Sequence, residues 1–289
     1  MKRWLIIGAG DVAQRMMPLL KHRVRLFALC RNPEKAHLWR QLGAIPIIGD
    51  LDNLNSLTRI TGIADGIFHF APPNLTGTKD IRTRHLIAAL SRCNSVPQSI
   101  VYISTTGVYG DHQGQWVDET TATNPTSARA TRRVDAENQL RDFARRAGSS
   151  LTILRAPGIY AENRLPLNRL KEQLPTIQEN EDSWSNHIHA FDLARAAILS
   201  MYQPFNSRVF NAVDDEPMQI GSFYDMLADF YQYTRPQRLP RNQVKNMISE
   251  ISWSFMAESR KITNKRLIQE LGFSFFYPSV LSCLSNLKK

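Results

Sequence analysis

The apolar positions of the chain fall into short runs separated by stretches of helical spacing. Trp4-Leu5-Ile6-Ile7 opens the series, and a run this short before a glycine turn reads as a buried strand. Residues 24–29, 44–48, 66–71, 99–103 and 151–154 repeat it, with Pro46 marking the start of the third strand or a sheet edge. Between them, residues 12–20, 33–41, 54–60, 82–93 and 127–147 carry helical spacing. Strands alternating with helices predict a parallel sheet covered by helices on both faces. Residues 105–125 are polar and too long for a simple connector, which marks a functional loop. Past Pro157 the rhythm changes, with Pro166 and Pro175 punctuating a loosely structured part. A helix over 189–202 and a strand over 208–211 resume the alternation, and after Pro217 the chain reads as helical, with no further strand rhythm. The expected organisation is a nucleotide-binding domain over 1–157, with 187–213 returning to it, and a smaller, mostly helical substrate lobe within 158–289.

The turn after the first strand is Gly8-Ala9-Gly10-Asp11-Val12-Ala13, a GxGxxA pattern. Gly8 can adopt a backbone shape that a Cβ resists. Gly10 lets the backbone approach a pyrophosphate, and Ala13 is small enough for close helix–strand packing. The helix that follows would point its N-terminus at the phosphates. Gly8, Gly10, Asp11 and Val12 are therefore the cofactor-side residues of this turn. A glycine turn without a ligand is the plainer reading, but the strand-before, helix-after context favours a dinucleotide. At the end of the second strand stand Cys30 and Arg31, with no acid. A carboxylate there would bind the ribose of NAD, whereas a guanidinium suits the 2′-phosphate, so NADP is expected over NAD. The alternative is that Arg31 is a surface arginine. Asp50, after the third strand, can accept from an adenine amino group; the competing role is capping of the following helical run, which Asp52 or Asn53 precedes.

The 289 residues, 43% of them hydrophobic, can bury one large core or two modest ones. Cys30, Cys93 and Cys283 are scattered, with neither metal-ligand spacing nor a disulfide framework, which suits a reducing cytoplasm. The apolar run after Lys2-Arg3 is cut by Gly8 and Asp11, too early for a signal peptide, and no stretch reaches membrane-spanning length. The net charge of +10 would suit nucleic acid, a membrane surface or an anionic small ligand. The basic residues are spread, however, and the densest group, from Arg129 to Arg146, is interleaved with Asp135, Glu137 and Asp142. That is a solvated helix face rather than a nucleic-acid stripe, so neither nucleic acid nor membrane is an expected partner.

Ser104-Thr105-Thr106-Gly107-Val108-Tyr109-Gly110 follows the fifth strand. With the glycine turn, Gly49-Asp50-Leu51, residues 69–73, Arg155-Ala156-Pro157-Gly158-Ile159-Tyr160, His187-Ile188-His189 with Asp192-Leu193, and residues 210–217, the chain resembles the extended short-chain dehydrogenase/reductase superfamily, in its NAD-dependent epimerase/dehydratase branch. The short glycine turn is similar to that of the atypical members. The resemblance implies a Rossmann-type doubly wound parallel sheet, a nicotinamide cofactor, and a small-molecule substrate such as a nucleotide sugar. A homodimer is the assembly it allows. It implies that Thr105 hydrogen-bonds the reacting oxygen, with Thr106 and Tyr109 beside the substrate. Asp50, Leu51, Ala71, Pro72 and Pro157 would lie beside the cofactor, and Arg155 near cofactor and substrate. Thr105 has a plainer role too, capping the loop after its strand.

The family's acid/base is a Tyr with a Lys four residues later. Counted back from Glu137, those positions hold Arg129 and Arg133, and no Tyr of this chain has a Lys at that spacing. Arginine stays protonated and cannot act as a base. Two functions follow: an atypical enzyme, or an NADP-binding redox sensor without turnover. His187, His189 and Asp192 have a loose HxHxxD spacing that reads as the start of a core helix, and no metal is expected. Arg164, Arg169 and Lys171 could meet a phosphorylated ligand or form a solvated basic helix.

Overall fold

A computed structural model describes residues 1–92 and 95–287, so Cys93 lies outside the described residues. Seven strands form one parallel sheet: β1 (Arg3–Ile7), β2 (Arg25–Cys30), β3 (Ile45–Ile48), β4 (Gly66–His69), β5 (Ser99–Thr105), and the strands Ser150–Ala156 and Arg208–Asn211. Across the sheet the order is Arg208–Asn211, Ser150–Ala156, β5, β4, β1, β2, β3. The chain winds outward from β1 to β3, then returns to lay β4 on the other side of β1, with Ile7 in register with both Leu29 and His69. This reversal of direction opens a crevice at the carboxyl ends of β1 and β4. The fold is a Rossmann-type doubly wound sheet.

Strand β1 shows why the sheet is covered twice. Trp4 through Ile7 are all buried, and successive side chains point to opposite faces. Trp4 and Ile6 join one core with helices α1 (Asp11–Leu20) and α6 (Ala190–Tyr202). Leu5 and Ile7 join another with helices α3 (Ile81–Leu90) and α4 (Ala128–Ala147). The remaining helices before α6 are α2 (Ala36–Gln41) and α5 (Leu167–Lys171). A third, smaller core packs Tyr160 and Leu170 against Phe223 and Leu227 of α7 (Ile220–Tyr231), with Val280 and Leu284. Leu267, Leu271 and Phe273, from the far end of the chain, close the first core. No described helix is long and apolar enough to cross a membrane.

Helix α4 positions much of the site. Ser127 caps it by accepting from the Ala130 N–H at 3.2 Å, and Gly148 ends it in the left-handed region. Ala136, Leu140, Phe143 and Ala144 bury its inner face. Arg129, Arg133 and Glu137 repeat every four residues and so form a stripe on one side.

Several expectations are corrected. The stretch 54–60 is a 3₁₀ helix, Leu54–Ile60, with Asn53 accepting from the Asn55 N–H. The loop after β5 is not irregular throughout: it holds a 3₁₀ turn, Thr106–Tyr109, and a strand, Trp116–Val117. That strand pairs with Lys261–Ile262, so the part after Pro217 does contain strands. Met218–Gln219 and Arg238–Leu239 are two more. Two residues are too short for an alternation to register, and their pairing partners lie far away in sequence.

Candidate active site

The Gly8–Gly10 turn lines the crevice. Gly8 has φ +95°, and a Cβ on it would lie 2.3 Å from the Ala71 nitrogen, so the turn sits directly against the end of β4. Gly10 is the N-cap of α1, and a Cβ there would meet nothing within 4 Å. Its outer side is thus an open approach to a helix N-terminus, the cradle a pyrophosphate needs. Val12 and Ala13 are buried beneath it. Asp11 faces outward and pairs with Arg15 and Arg164, each at 3.1 Å. The residues present fit a dinucleotide.

The other candidates lie along the same strand ends. Arg31 is exposed just past β2, with no carboxylate within 4 Å among the described residues. Asp50 follows β3; its backbone N–H donates to the Ser56 hydroxyl at 2.8 Å, and its carboxylate accepts from the Asp52 N–H at 3.0 Å. Leu51 is buried, with its carbonyl 2.7 Å from His85 Nδ1. Ala71 is buried after β4, whereas Pro72 is exposed and its carbonyl accepts from Arg82.

A cleft of about 680 Å³ lies between the ends of β5 and Ser150–Ala156 and the helical part of the chain, and two of its lining residues reach the crevice: Arg133 to the Ala71 carbonyl at 3.5 Å and Arg164 to Asp11 at 3.1 Å. Thr105, Thr106 and Pro157 line it. Thr105 Oγ1 accepts from the Gly107 N–H at 3.2 Å, so the capping role is present on the cleft wall itself. Arg129 and Arg133 line it as well. Arg133 is fixed by its Nη1, which donates to the Tyr102 hydroxyl at 3.0 Å and the Ile103 carbonyl at 2.9 Å. The Arg129 guanidinium lies 4.3 Å from the ring centroid of Phe255.

Tyr109 and Arg155, expected beside the substrate, do not line the cleft. Tyr109 is fully buried, and its hydroxyl donates to Asn211 Oδ1 at 2.7 Å. Arg155 is buried over the Tyr109 ring, 4.8 Å from its centroid, and is bound by Glu137. A guanidinium at the end of a strand needs a carboxylate when no water reaches it, and α4 supplies one.

Arg164 and Arg169 line the cleft, but Lys171 does not. Sequence reasoning missed Phe255, Glu258 and Arg260, which come from the wall around the helix Glu250–Met256. No motif marks them. It also read His187 only as part of a helix start. His187 lines the cleft, stacks on Phe223 with ring centroids 4.6 Å apart, and leaves Nδ1 without a hydrogen bond. Burial pushes its pKa down to about 4, so the ring is neutral. Beside it, burial and then the nearby Asp214 push the Tyr160 phenol up, while burial raises the Asp214 carboxyl well above the carboxylate range. His189 bonds Glu162 at 3.3 Å, and Asp192 accepts from the backbone of Phe276 and Tyr277. Among the described residues, no three His, Cys, Asp or Glu side chains are placed to hold a metal.

Sheet order, glycine turn and crevice together define a dinucleotide-binding α/β protein of the Rossmann class. The chain belongs to the NAD dependent epimerase/dehydratase family, whose model matches residues 4–213. Membership of this family supports a nicotinamide cofactor. The chain is 25% identical over 238 residues to Protein YeeZ of Escherichia coli (strain K12), covering 81% of this chain and 78% of the relative. Among solved structures, a functionally unknown conserved protein from Silicibacter pomeroyi DSS is 28% identical, with a TM-score of 0.84 over 100% of this chain and 98% of that one. The UDP-glucuronic acid 4-epimerase of Bacillus cereus, solved with UDP-glucuronic acid and NAD, shares the fold at 18% identity, with a TM-score of 0.75 over 99% of each chain.

Proposed function

We propose that this is an NAD(P)-dependent epimerase/dehydratase-like oxidoreductase acting on a small molecule, with a nucleotide sugar as the leading substrate class. The observation that carries this reading is a cleft whose wall presents the Thr105 hydroxyl and whose lining residues Arg133 and Arg164 reach the Ala71 carbonyl and Asp11 at the glycine turn. The cofactor, when bound, would supply a hydride acceptor or donor. Gly8 and Gly10 hold its phosphates, Asp50, Leu51, Ala71 and Pro72 flank its adenosine half, and Pro157 borders the nicotinamide end. Arg31, exposed and with no carboxylate within 4 Å among the described residues, supports NADP over NAD. Thr105 orients the reacting oxygen. The nucleotide-sugar complex of the Bacillus cereus epimerase supports the substrate class by analogy of fold.

A second reading rests on one specific observation. Arginines stand at both positions where the family carries its Tyr and Lys, and neither can accept a proton at neutral pH. An NADP-binding redox sensor would need no proton moved. Calorimetric titration with NADP and NAD, followed by a turnover assay on a panel of sugar nucleotides, separates the two. Cofactor binding with turnover supports the enzyme, and tight binding with none supports the sensor. Absence of any cofactor binding would defeat both.

A further inference from the structure

The cleft carries more positive charge than its own carboxylates neutralise. Arg164 is paired with Asp11, and Arg260 with Glu258. Arg129 and Arg133 have no carboxylate within 4 Å among the described residues, although both line the cleft beside Thr105. They are one helical turn apart on the same side of α4, so two like charges face one space. The neighbouring carboxylate, Glu258, is already committed: it accepts from Arg260 Nη1 at 2.6 Å and from the Thr126 hydroxyl.

Both guanidiniums are held in place without being used up. Arg133 spends Nη1 alone on Tyr102, Ile103 and the Ala71 carbonyl; none of these contacts uses its Nε or Nη2. Arg129 holds its Cζ over the Phe255 ring, 4.3 Å from the centroid, and its N–H groups make no hydrogen bond among the described residues. A planar guanidinium edge fixed in this way is preorganised for two-point contact with an oxyanion.

We infer that this end of the cleft holds an oxyanion: the substrate carries a carboxylate or phosphate group that sits between Arg129 and Arg133, next to Thr105. This rests on the reading of the cleft as the substrate site. The pair is a specificity device, because a neutral hydroxyl in that place would leave two adjacent cations unneutralised.

The test uses the full-length, cofactor-loaded protein, so that any contact between Arg133 and the cofactor is already made. The probes are UDP-glucuronate and UDP-glucose, which differ in a carboxylate, together with malonate and inorganic phosphate. The variants are Arg129→Gln, Arg133→Gln and, as a control outside the cleft, Arg208→Gln. The wild type should bind UDP-glucuronate about ten- to a hundredfold more tightly than UDP-glucose, the worth of a charged hydrogen-bonded contact. Arg129→Gln should erase that preference, and Arg208→Gln should keep it. Arg129→Gln is decisive because its side chain makes no hydrogen bond whose loss would disturb the fold, and an unchanged thermal midpoint checks this. Malonate and phosphate should each bind in an Arg129-dependent way, the tighter of them naming the oxyanion. Equal binding of both sugar nucleotides, unaltered by Arg129→Gln, overturns the inference and leaves the nucleotide-sugar reading standing. Failure of both sugar nucleotides, with Arg129-dependent binding of malonate or phosphate, overturns the nucleotide-sugar reading alone. If none of the four probes binds, both fall.

Discussion

Arg155 and Glu137 form a two-point ion pair inside the protein, with Nε to Oε1 at 3.1 Å and Nη2 to Oε2 at 2.8 Å. Ser104 adds a hydroxyl donor at 2.6 Å and Arg141 a second guanidinium at 3.0 Å. The pair ties the strand Ser150–Ala156 to α4 directly behind the cleft wall.

Removing one member would strand the other. Arg155→Met should cost about 3–5 kcal/mol of unfolding free energy, measured by urea denaturation. Burial alone would raise the Glu137 carboxyl, but the bonds from Arg155, Ser104 and Arg141 outweigh it and hold the group below the usual glutamate range. A depressed folded pKa gives stability that is fully present above the unfolded value and lost as pH falls through the folded one. Wild-type stability should therefore drop on acidification below the usual glutamate range. Glu137→Gln should lower stability at neutral pH and flatten that acid slope. A slope unchanged by Glu137→Gln would show that the pair is not what titrates.

The two glycines of the first turn should behave differently. In Gly8→Ala the new Cβ would collide with the Ala71 backbone at a φ of +95°, so a loss of at least about 3 kcal/mol is expected. In Gly10→Ala the Cβ enters open space at φ −106°, so the thermal midpoint should hold. Its cofactor affinity should instead fall by about 1.4 kcal/mol or more, a factor of ten, because the methyl occupies the phosphate approach. Undiminished cofactor binding by Gly10→Ala would remove this turn from the phosphate site.

Arg31→Glu converts a pairing with a 2′-phosphate into a repulsion. NADP binding should weaken far more than NAD binding in calorimetric titrations of both proteins. Equal losses would mean that Arg31 does not read the phosphate.

Restoring the family's pair tests the missing proton acceptor. Arg129→Tyr with Arg133→Lys puts a phenol and an ammonium one helical turn apart on the cleft wall. Proton transfer by a positioned side chain is worth about 10² to 10⁴ in rate, so the double variant should gain measurable turnover on at least one nucleotide sugar. Each single variant should gain much less. The assay is cofactor absorbance with chromatography of the sugar nucleotides. A folded, cofactor-bound double variant without activity would favour the sensor.

His187 should stay neutral down to about pH 4, followed by NMR of its ring protons. Its folded pKa is lowered, so the unfolded chain binds the proton more readily. Between the ordinary histidine value, about 6.5, and about 4, this residue should make stability fall as pH falls. A ring that titrates near its ordinary value would mean that water reaches it.

The glycine turn, β1 and the strand–helix alternation were legible because their signals are local: a four-residue apolar run, then glycines where a close approach demands them. The far wall of the cleft was not. Phe255 sits in a short helix whose Ile251 is also exposed, so its apolar spacing suggests core packing rather than a cleft lining. Arg155 misled for the opposite reason. An arginine at a strand end looks available, and its carboxylate partner lies on a helix eighteen residues earlier, a pairing no spacing rule reveals. Short strands such as Lys261–Ile262 are set wholly by tertiary pairing.

The closing of the first core by Leu267, Leu271 and Phe273 bears on how the chain matures on the ribosome. The N-terminal segments emerge first and can begin to pair, but the first core lacks three of its members until residues 267–273 have emerged. Until then the half-built sheet displays the apolar surface that these three residues later hide. A nascent chain stalled before Leu267 would be a natural client for a holding chaperone.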